Sequence, residues 1–403
     1  MRKAYKTEIK PTDGQGIKIR KTIGTCRYIH NMYLANQKEY YEETKKFMSG
    51  YDFSKWLNNI FVPENPDKDW IKEVSSKAVK QAIMNGERAF KRFFKKESNF
   101  PRFKKKHKQD VKANFPKNNK TDLTVQRHRI KIPTLGWVRL KEYGYIPTDG
   151  DVKSCTVSEK AGRYYISVLF EEEATPETYI HSEGIGIDLG IKEFAVTDTG
   201  EVFGNINKSK KVRNLEKKLK REQRSLSRKI LKRKGGETAT ETRTNLDKLN
   251  LENKFTGVYK GSNKRQNILR VQKLHRRLSN IRTEHVKSVV NTLVKTKPEF
   301  VTIEDLNVKG MMKNRHLSKA IAHQTFYKFK DYLSCKCKQF KIELRQADRF
   351  YPSSKTCSSC GAVKKDLKLK DRRYICPECG IDIDRDLNAA INLKMLKRYT
   401  ILT

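Results

Sequence analysis

Residues 351–393 read YPSSKTCSSCGAVKKDLKLKDRRYICPECGIDIDRDLNAAINL, and two kinds of chemistry are folded into them. The first is a pair of Cys-x-x-Cys knuckles, Cys357/Cys360 and Cys376/Cys379, with fifteen residues between them. Each knuckle turns two thiolates towards one point, and the intervening segment is long enough to form a hairpin that joins the pairs. Four thiolates at tetrahedral geometry suit zinc, and such a site replaces a core that the segment is too short to build. One knuckle alone would leave a redox pair or buried thiols open; two at ribbon spacing favour one structural zinc per chain. The second is Asp-Leu-Asn-Ala-Ala-Ile-Asn-Leu, starting at Asp386. Small and apolar residues at 387, 389, 390, 391 and 393 predict a helix packed closely on something. An acid at its N-terminal end favours the helix dipole, so Asp386 taken alone reads equally well as a cap.

At 403 residues the chain is long enough for two or three domains with cores of their own. Lys and Arg number 88 against 46 Asp and Glu, a net charge of +42 spread through most of the chain. There is no apolar run of spanning length, and Met1–Lys10 is not a cleavable signal, so a polyphosphate partner explains the charge better than a membrane. The cysteines outside the ribbon, Cys26, Cys155, Cys335 and Cys337, are scattered, which fits a reducing cytosol rather than a disulfide framework.

Met1–Lys10 reads as a short strand, and Pro11-Thr12-Asp13 turns into a helix with Ile19, Ile23, Cys26, Ile29 and Tyr33 at helical spacing. A loop is expected over Phe61–Asp69, then a helix with Val79, Ile83, Phe90 and Phe94 on one side. Phe100-Pro101-Arg102-Phe103-Lys104-Lys105-Lys106 interleaves rings and bases as a nucleic-acid grip does. From Leu123 the period falls to two, at Leu123/Val125, Ile130/Ile132, Val138/Leu140 and Tyr164/Ile166/Val168/Phe170, which predicts short strands of a small barrel. Gly184–Gly190 is an apolar strand with Asp188 inside it, and Phe194–Val202 a second. Basic helices follow over Lys208–Arg233 and, after a polar stretch at Gly235–Asn263, up to Pro298. Arg270, Lys273, Arg276, Arg277 and Arg282 are expected on the exposed faces of the latter. Phe300–Glu304 is a strand ending on an acid, and a helix over Leu317–Phe340 and a strand over Ile342–Ala347 lead to the ribbon.

Three acids stand out: Asp188 within a strand, Glu304 at a strand end and Asp386 at a helix start. A buried-looking carboxylate is costly unless it is paired or holds a metal. Strand-strand-helix-strand-helix order with acids at these places resembles the ribonuclease H-like fold, in which such side chains converge at one end of the sheet. Hard oxygen ligands with open positions suit magnesium carrying water and phosphate, and two such ions can assist phosphodiester hydrolysis.

The chain resembles TnpB, the family of transposon-encoded RNA-guided DNA endonucleases related to type V CRISPR effectors. The likeness rests on Gly-Ile-Asp188-Leu-Gly-Ile-Lys, Ile-Glu304-Asp-Leu-Asn-Val-Lys, Pro-Ser-Ser-Lys-Thr-Cys357-Ser-Ser-Cys360-Gly and Asp-Arg-Asp386-Leu-Asn-Ala-Ala. The resemblance implies Asp188, Glu304 and Asp386 as RuvC-type catalytic ligands of magnesium, two ions in all. Asp384 ranks second at the third position, and Asp305 is not a ligand. It implies an α/β and β multi-domain chain, with a wedge-like β-barrel over 1–11 and 115–180 and a helical recognition insert over 12–114. A RuvC domain over 181–350 and 382–403 follows, interrupted by a zinc ribbon over 351–381 that loads the target. The partners implied are a guide RNA derived from the transposon end, one per monomer, and a double-stranded DNA target read beside a short flanking motif. For contact with that motif the resemblance points to Phe53, Ser76 and Lys80. The segment Gly235–Ser262 departs from the family pattern. Rival readings are a miniature type V CRISPR effector, an RNA-guided DNA-binding repressor, an unguided resolvase and a zinc-ribbon transcription factor. All three acids are present, which argues against the repressor; Asp188 and Glu304 have no purpose in the last.

Overall fold

The computed structural model describes residues 2–106, 112–119, 123–172, 182–231, 262–368 and 371–402, so most of the polar stretch at Gly235–Asn263 lies outside the described residues. The chain divides into two units, Met1–Ala174 with Ile230–Leu269 and Thr175–Lys229 with Arg270–Thr403. No helix among the described residues is long and apolar enough to cross a membrane.

In the first unit the alternating segments become β1 (Arg2–Lys10), β2 (Ala113–Pro116), β3 (Thr124–Gln126), β4 (Arg129–Ile132), β5 (Gly136–Leu140), β6 (Asp151–Lys160) and β7 (Arg163–Glu171). They form an antiparallel sheet in the order β2-β6-β7-β1-β5-β4-β3. Phe115 and Val125, from its two edges, share one core cluster with Ile9, Ile130, Val138 and Phe170. The expected barrel is nevertheless not closed: no ladder joins β2 to β3 among the described residues, and these edges are only four and three residues long. The period-two reading passed over β6. Its buried Val152, Cys155 and Val157 fall out of strict alternation because the register shifts between Val152 and Ser154.

Helices of this unit are α1 (Asp13–Thr44), α2 (Gly50–Trp56), α3 (Val62–Glu64) and α4 (Ser76–Phe94). Thr12 starts α1 with a capping box: its hydroxyl accepts from the Gln15 amide while the Gln15 side chain accepts from the Thr12 amide. Ile19, Cys26, Ala78 and Ala82 pack into the sheet's core, and Ile29, Tyr33, Phe53, Leu57, Ile83 and Phe90 form a second core among the helices. The loop expected over Phe61–Asp69 is helical instead, with a π-turn at Leu57–Phe61, α3, and a 3-10 turn at Pro66–Ile71. Pro66 opens the 3-10 turn, where a missing N–H costs no helical hydrogen bond, and Pro63 follows directly on the π-turn in a helical run unbroken from Gly50 to Glu64. Phe94, expected on the inner side of α4, is exposed.

The second unit is built on β8 (Ile185–Leu189), β9 (Glu193–Thr197), β10 (Val202–Gly204), β11 (Phe300–Ile303), β12 (Glu343–Ala347) and β15 (Tyr399–Ile401). The order is β10-β9-β8-β11-β12-β15; β8, β11 and β12 run parallel, and the other pairs are antiparallel. This mixed sheet with three central parallel strands suits the ribonuclease H-like reading. The strand expected over Phe194–Val202 is two strands, turned at Gly200 with φ +82°. The helix expected over Leu317–Phe340 breaks at Thr325, in the left-handed region at φ 58°. β15 was not foreseen.

Four helices contribute most: α5 (Lys210–Leu231), α6 (Ser262–Lys295), α9 (Phe326–Phe340) and α10 (Arg385–Lys394), with the shorter α7 (Val308–Met311) and α8 (Ser318–Gln324) before α9. Ile187, Leu189, Val301, Ile303 and Leu344 point from the sheet into a core with Val289 and Leu293 of α6 and Phe329 and Leu333 of α9. Strand residues between them face the other way, towards α10. There the backbones touch: a Cβ on Gly186 would lie 2.0 Å from the Ala390 carbonyl oxygen and 2.5 Å from the Lys394 nitrogen. Only glycine on the strand, opposite small Ala389 and Ala390, permits this approach.

The ribbon is the hairpin β13 (Arg373–Ile375) and β14 (Asp382–Asp384) beside the first knuckle. Its core is little more than Leu367, Tyr374 and the buried thiols. The Sγ atoms of Cys357 and Cys379 are 3.6 Å apart, those of Cys360 and Cys376 3.5 Å, and all four lie within 4.8 Å of one another. Sulfurs about 2.3 Å from a tetrahedral zinc would be about 3.8 Å apart, so the cradle fits. Dialysed protein should return about one zinc per chain by mass spectrometry, falling when any of the four cysteines is changed to Ser. Gly186→Ala should cost about 1–3 kcal/mol, the usual range for overpacking, because α10 must lift from β8; calorimetry against the parent checks it.

Candidate active site

Two sequence distances are turned into one place by register. β8 and β11 pair in parallel with Ile303 opposite Ile187, so Glu304, one residue past β11, comes beside Asp188. Since Ile187 and Ile303 face the α6/α9 core, Asp188 and Glu304 both face α10. Asp188 lies two residues along the strand from Gly186, about 6.6 Å. Asp386 lies one helical turn before Ala390, about 6 Å. The close contact of Gly186 with Ala390 therefore brings the N-terminal end of α10 over Asp188.

The electrostatics record this convergence. Asp188 is pushed well above the usual carboxylate range, first by burial and then by the charges of Glu304 and Asp386. Glu304 is raised as well, chiefly by burial; hydrogen bonds from Ser353 and with Asp188, and the Arg385 guanidinium, hold the rise down. Asp188 and Glu304 thus share a hydrogen bond while Asp386 adds a third negative charge nearby. Among the described residues, only the four cysteines are already drawn in tightly enough to enclose an ion; the three carboxylates interact without closing to that distance.

The neighbouring acids have other work. Asp384, not Asp386, caps α10, its carboxylate accepting from the amides of Asp386 at 2.9 Å and Leu387 at 3.2 Å. Asp386 is relieved of capping. Asp305 accepts two hydrogen bonds from Arg349, at 2.9 and 2.6 Å. Asp198 accepts from the Gly186 amide and pairs with Lys394 at 3.1 Å, which ties the far end of α10 to β8. Sequence reasoning missed Gly186, Asp198, Ser353 and Arg385; the glycine within an apolar strand was the one available signal. In the ribbon, amide hydrogen bonds at Cys379 and Glu378 pull the Cys376 thiol down to about 6, while the Cys360 thiol, although an amide at Ala362 favours its thiolate, is pushed up to about 12 by the hydrogen bonds it shares with the other cysteines.

Of the residues expected at a flanking motif, Ser76 and Lys80 are exposed at the start of α4. Phe53 is fully buried against Tyr33 and Trp56, so its ring is not available to DNA. The outward position two residues earlier belongs to Tyr51, which carries Lys55 at 4.9 Å and Lys80 at 5.4 Å from its ring. Phe100 and Phe103 are about half exposed. Their segment is pinned to α1 by Asn31, which bonds the Lys104 amide and carbonyl at 2.8 and 2.9 Å. It borders a groove of about 530 Å³ with Leu34, Lys38, Arg102 and Lys105. On α6, Arg270, Lys273 and Arg277 are exposed as expected. Arg282 is not; it is largely covered and bound to Glu216 at 2.7 Å and to Asn207.

Three family profiles match the chain: "Probable transposase" over residues 166–315, "Cas12f1-like, TNB domain" over 326–393, and "Helix-turn-helix domain" over 1–46. The last description does not suit the structure there, which is β1 followed by the single helix α1. An Escherichia coli protein named "Putative RNA-guided DNA endonuclease InsQ" is 28% identical over 97% of this chain and 91% of its own length. A "Putative RNA-guided DNA endonuclease" of Streptomyces pristinaespiralis is 29% identical over 98% and 89% respectively. A "Putative transposase" of Methanocaldococcus jannaschii is 38% identical over 18% of this chain and 71% of that protein. With the acid and cysteine motifs seated in this fold and these matches spanning nearly its whole length, the chain belongs to the TnpB family.

Proposed function

We propose that the chain is an RNA-guided DNA endonuclease of an insertion sequence. The observation that carries the reading is the approach of Asp188, Glu304 and Asp386 on the α10 face of the sheet, at the carboxyl ends of its parallel strands. Three crowded acids, one held well above its ordinary range, form a donor set that divalent cations would relieve, so the residues fit magnesium. Two bound ions would supply an activated water and stabilise the leaving oxygen of a phosphodiester. The residues' part is to hold carboxylate oxygens in register on three rigid elements while Arg385 offsets some of their charge.

Basic faces of α5 and α6 would hold the guide RNA derived from the transposon end and its duplex with target DNA, in a complex of one protein with one RNA. The Phe100–Lys106 segment would stack on bases and neutralise phosphate, and Tyr51, Ser76 and Lys80 would lie against the flanking motif. On this reading the sheet and helices of the first unit are the wedge and recognition insert, the second unit is the RuvC domain, and the ribbon loads the target. The protein would work in the prokaryotic cytosol. The repressor reading is disfavoured by the intact acids, and the CRISPR reading by the transposase and endonuclease names of the relatives.

Asp188→Ala, Glu304→Ala and Asp386→Ala should each reduce magnesium-dependent cutting by several orders of magnitude and leave RNA and target binding nearly unchanged. Gel shifts and cleavage assays on one preparation decide it; full cutting by Asp386→Ala would move the third role to Asp384. RNA-stripped protein should not cut a plasmid carrying flanking motif and target until the guide is added. Sequence-specific cutting without guide would revive the unguided resolvase.

A further inference from the structure

The ribbon and the nuclease centre are joined by a short chain of hydrogen bonds that neither motif requires for itself. α10 carries Asn388 and Asn392, four residues apart on one face and buried. The Asn388 amide donates to the Thr356 carbonyl at 2.7 Å, and its oxygen accepts from the Ser358 amide at 2.9 Å, inside the first knuckle. The Asn392 amide donates to the carbonyls of Ser353 at 2.8 Å and Thr356 at 2.7 Å. Ser353, itself buried, then donates its hydroxyl to Glu304 Oε1 at 2.5 Å. On the same segment Arg385 reaches Ser354 Oγ at 3.3 Å, and Arg349 grips Asp305 next to Glu304.

We propose that Ser353 is a positioning residue of the nuclease centre, aimed by Asn388 and Asn392 through the first cysteine knuckle so that its hydroxyl fixes the orientation of the Glu304 carboxylate. A carboxylate on the residue just past a strand end is free to rotate about its side-chain bonds. Fixing one oxygen by a short hydroxyl bond leaves the other directed towards Asp188 and Asp386. The folded ribbon thereby sets the readiness of the carboxylates, in addition to any contact it makes with a target strand. Outer partners of ligating carboxylates commonly govern metal affinity and activity by about 10–100-fold.

This inference rests on the nuclease reading, and the test separates the two. Ser353→Thr and Ser353→Val have nearly the same shape and differ in the hydroxyl, so the pair controls for packing at this buried position. Guide-loaded parent and variants are compared for zinc content, melting temperature, Mn²⁺ binding by isothermal titration, and the rate and half-saturation of target cutting. The expected result is that Ser353→Thr keeps parental Mn²⁺ affinity and rate. Ser353→Val binds Mn²⁺ at least about tenfold more weakly and cuts about 10–100-fold more slowly at saturating target. Half-saturation by target and zinc content stay unchanged. Equal Mn²⁺ affinity and equal rate in the two variants would overturn the proposal. A parent complex that neither binds Mn²⁺ nor cuts would instead overturn the nuclease reading.

Discussion

The second unit depends on the approach of one helix backbone to one strand backbone at Gly186. The Ala390 carbonyl oxygen lies only 2.0 Å from the place where any other residue would put its Cβ. That contact fixes how far the N-terminal end of α10 reaches, and hence where Asp386 meets Asp188. Asp198 and Lys394 hold the other end of the same helix. Small residues at 389 and 390 are therefore not generic core filling. They set a distance, and the distance sets the electrostatics of the acids.

The acids pull against the fold that gathers them. Crowding and burial raise Asp188, and the site is tolerable because Arg385 lies nearby and Ser353 supplies a donor. The same tension exists on a larger scale in a chain at +42, whose basic helices α5 and α6 keep most of their charges outward while Val212, Leu219, Leu274 and Leu278 are buried. Both excesses, negative in the site and positive on the surface, have the sign that complements metal ions and polyphosphate.

Much of this was legible in the sequence because it is written in residue types. Two cysteine knuckles, an acid inside an apolar strand and an acid at a strand end carry their chemistry openly. Element ends were less legible. The β6 strand hid behind its bulge, the helix through Thr325 broke at a residue with no breaking signal, and the stretch after Phe61 is helical although it holds Pro63 and Pro66, the second of which opens a 3-10 turn. Capping was misread for a physical reason: Asp384 and Asp386 are both suited to a helix start, and only the backbone decides which one faces the free amides. Phe53 failed as a surface residue because neighbouring rings bury it, whereas Tyr51 gave no periodic signal.

The late place of Asp386 in the chain has a bearing on how the molecule is made. The acid that completes the carboxylate trio begins a helix that emerges from the ribosome only after β8, β11 and the whole ribbon have been synthesised. Until α10 exists, the face of β8 around Gly186 is bare and Asp188 and Glu304 have no third partner. The sheet's three parallel strands can pair earlier, since all of them precede α10 in the chain. A chain interrupted before Arg385 carries the basic helices yet lacks the residue that completes the carboxylates.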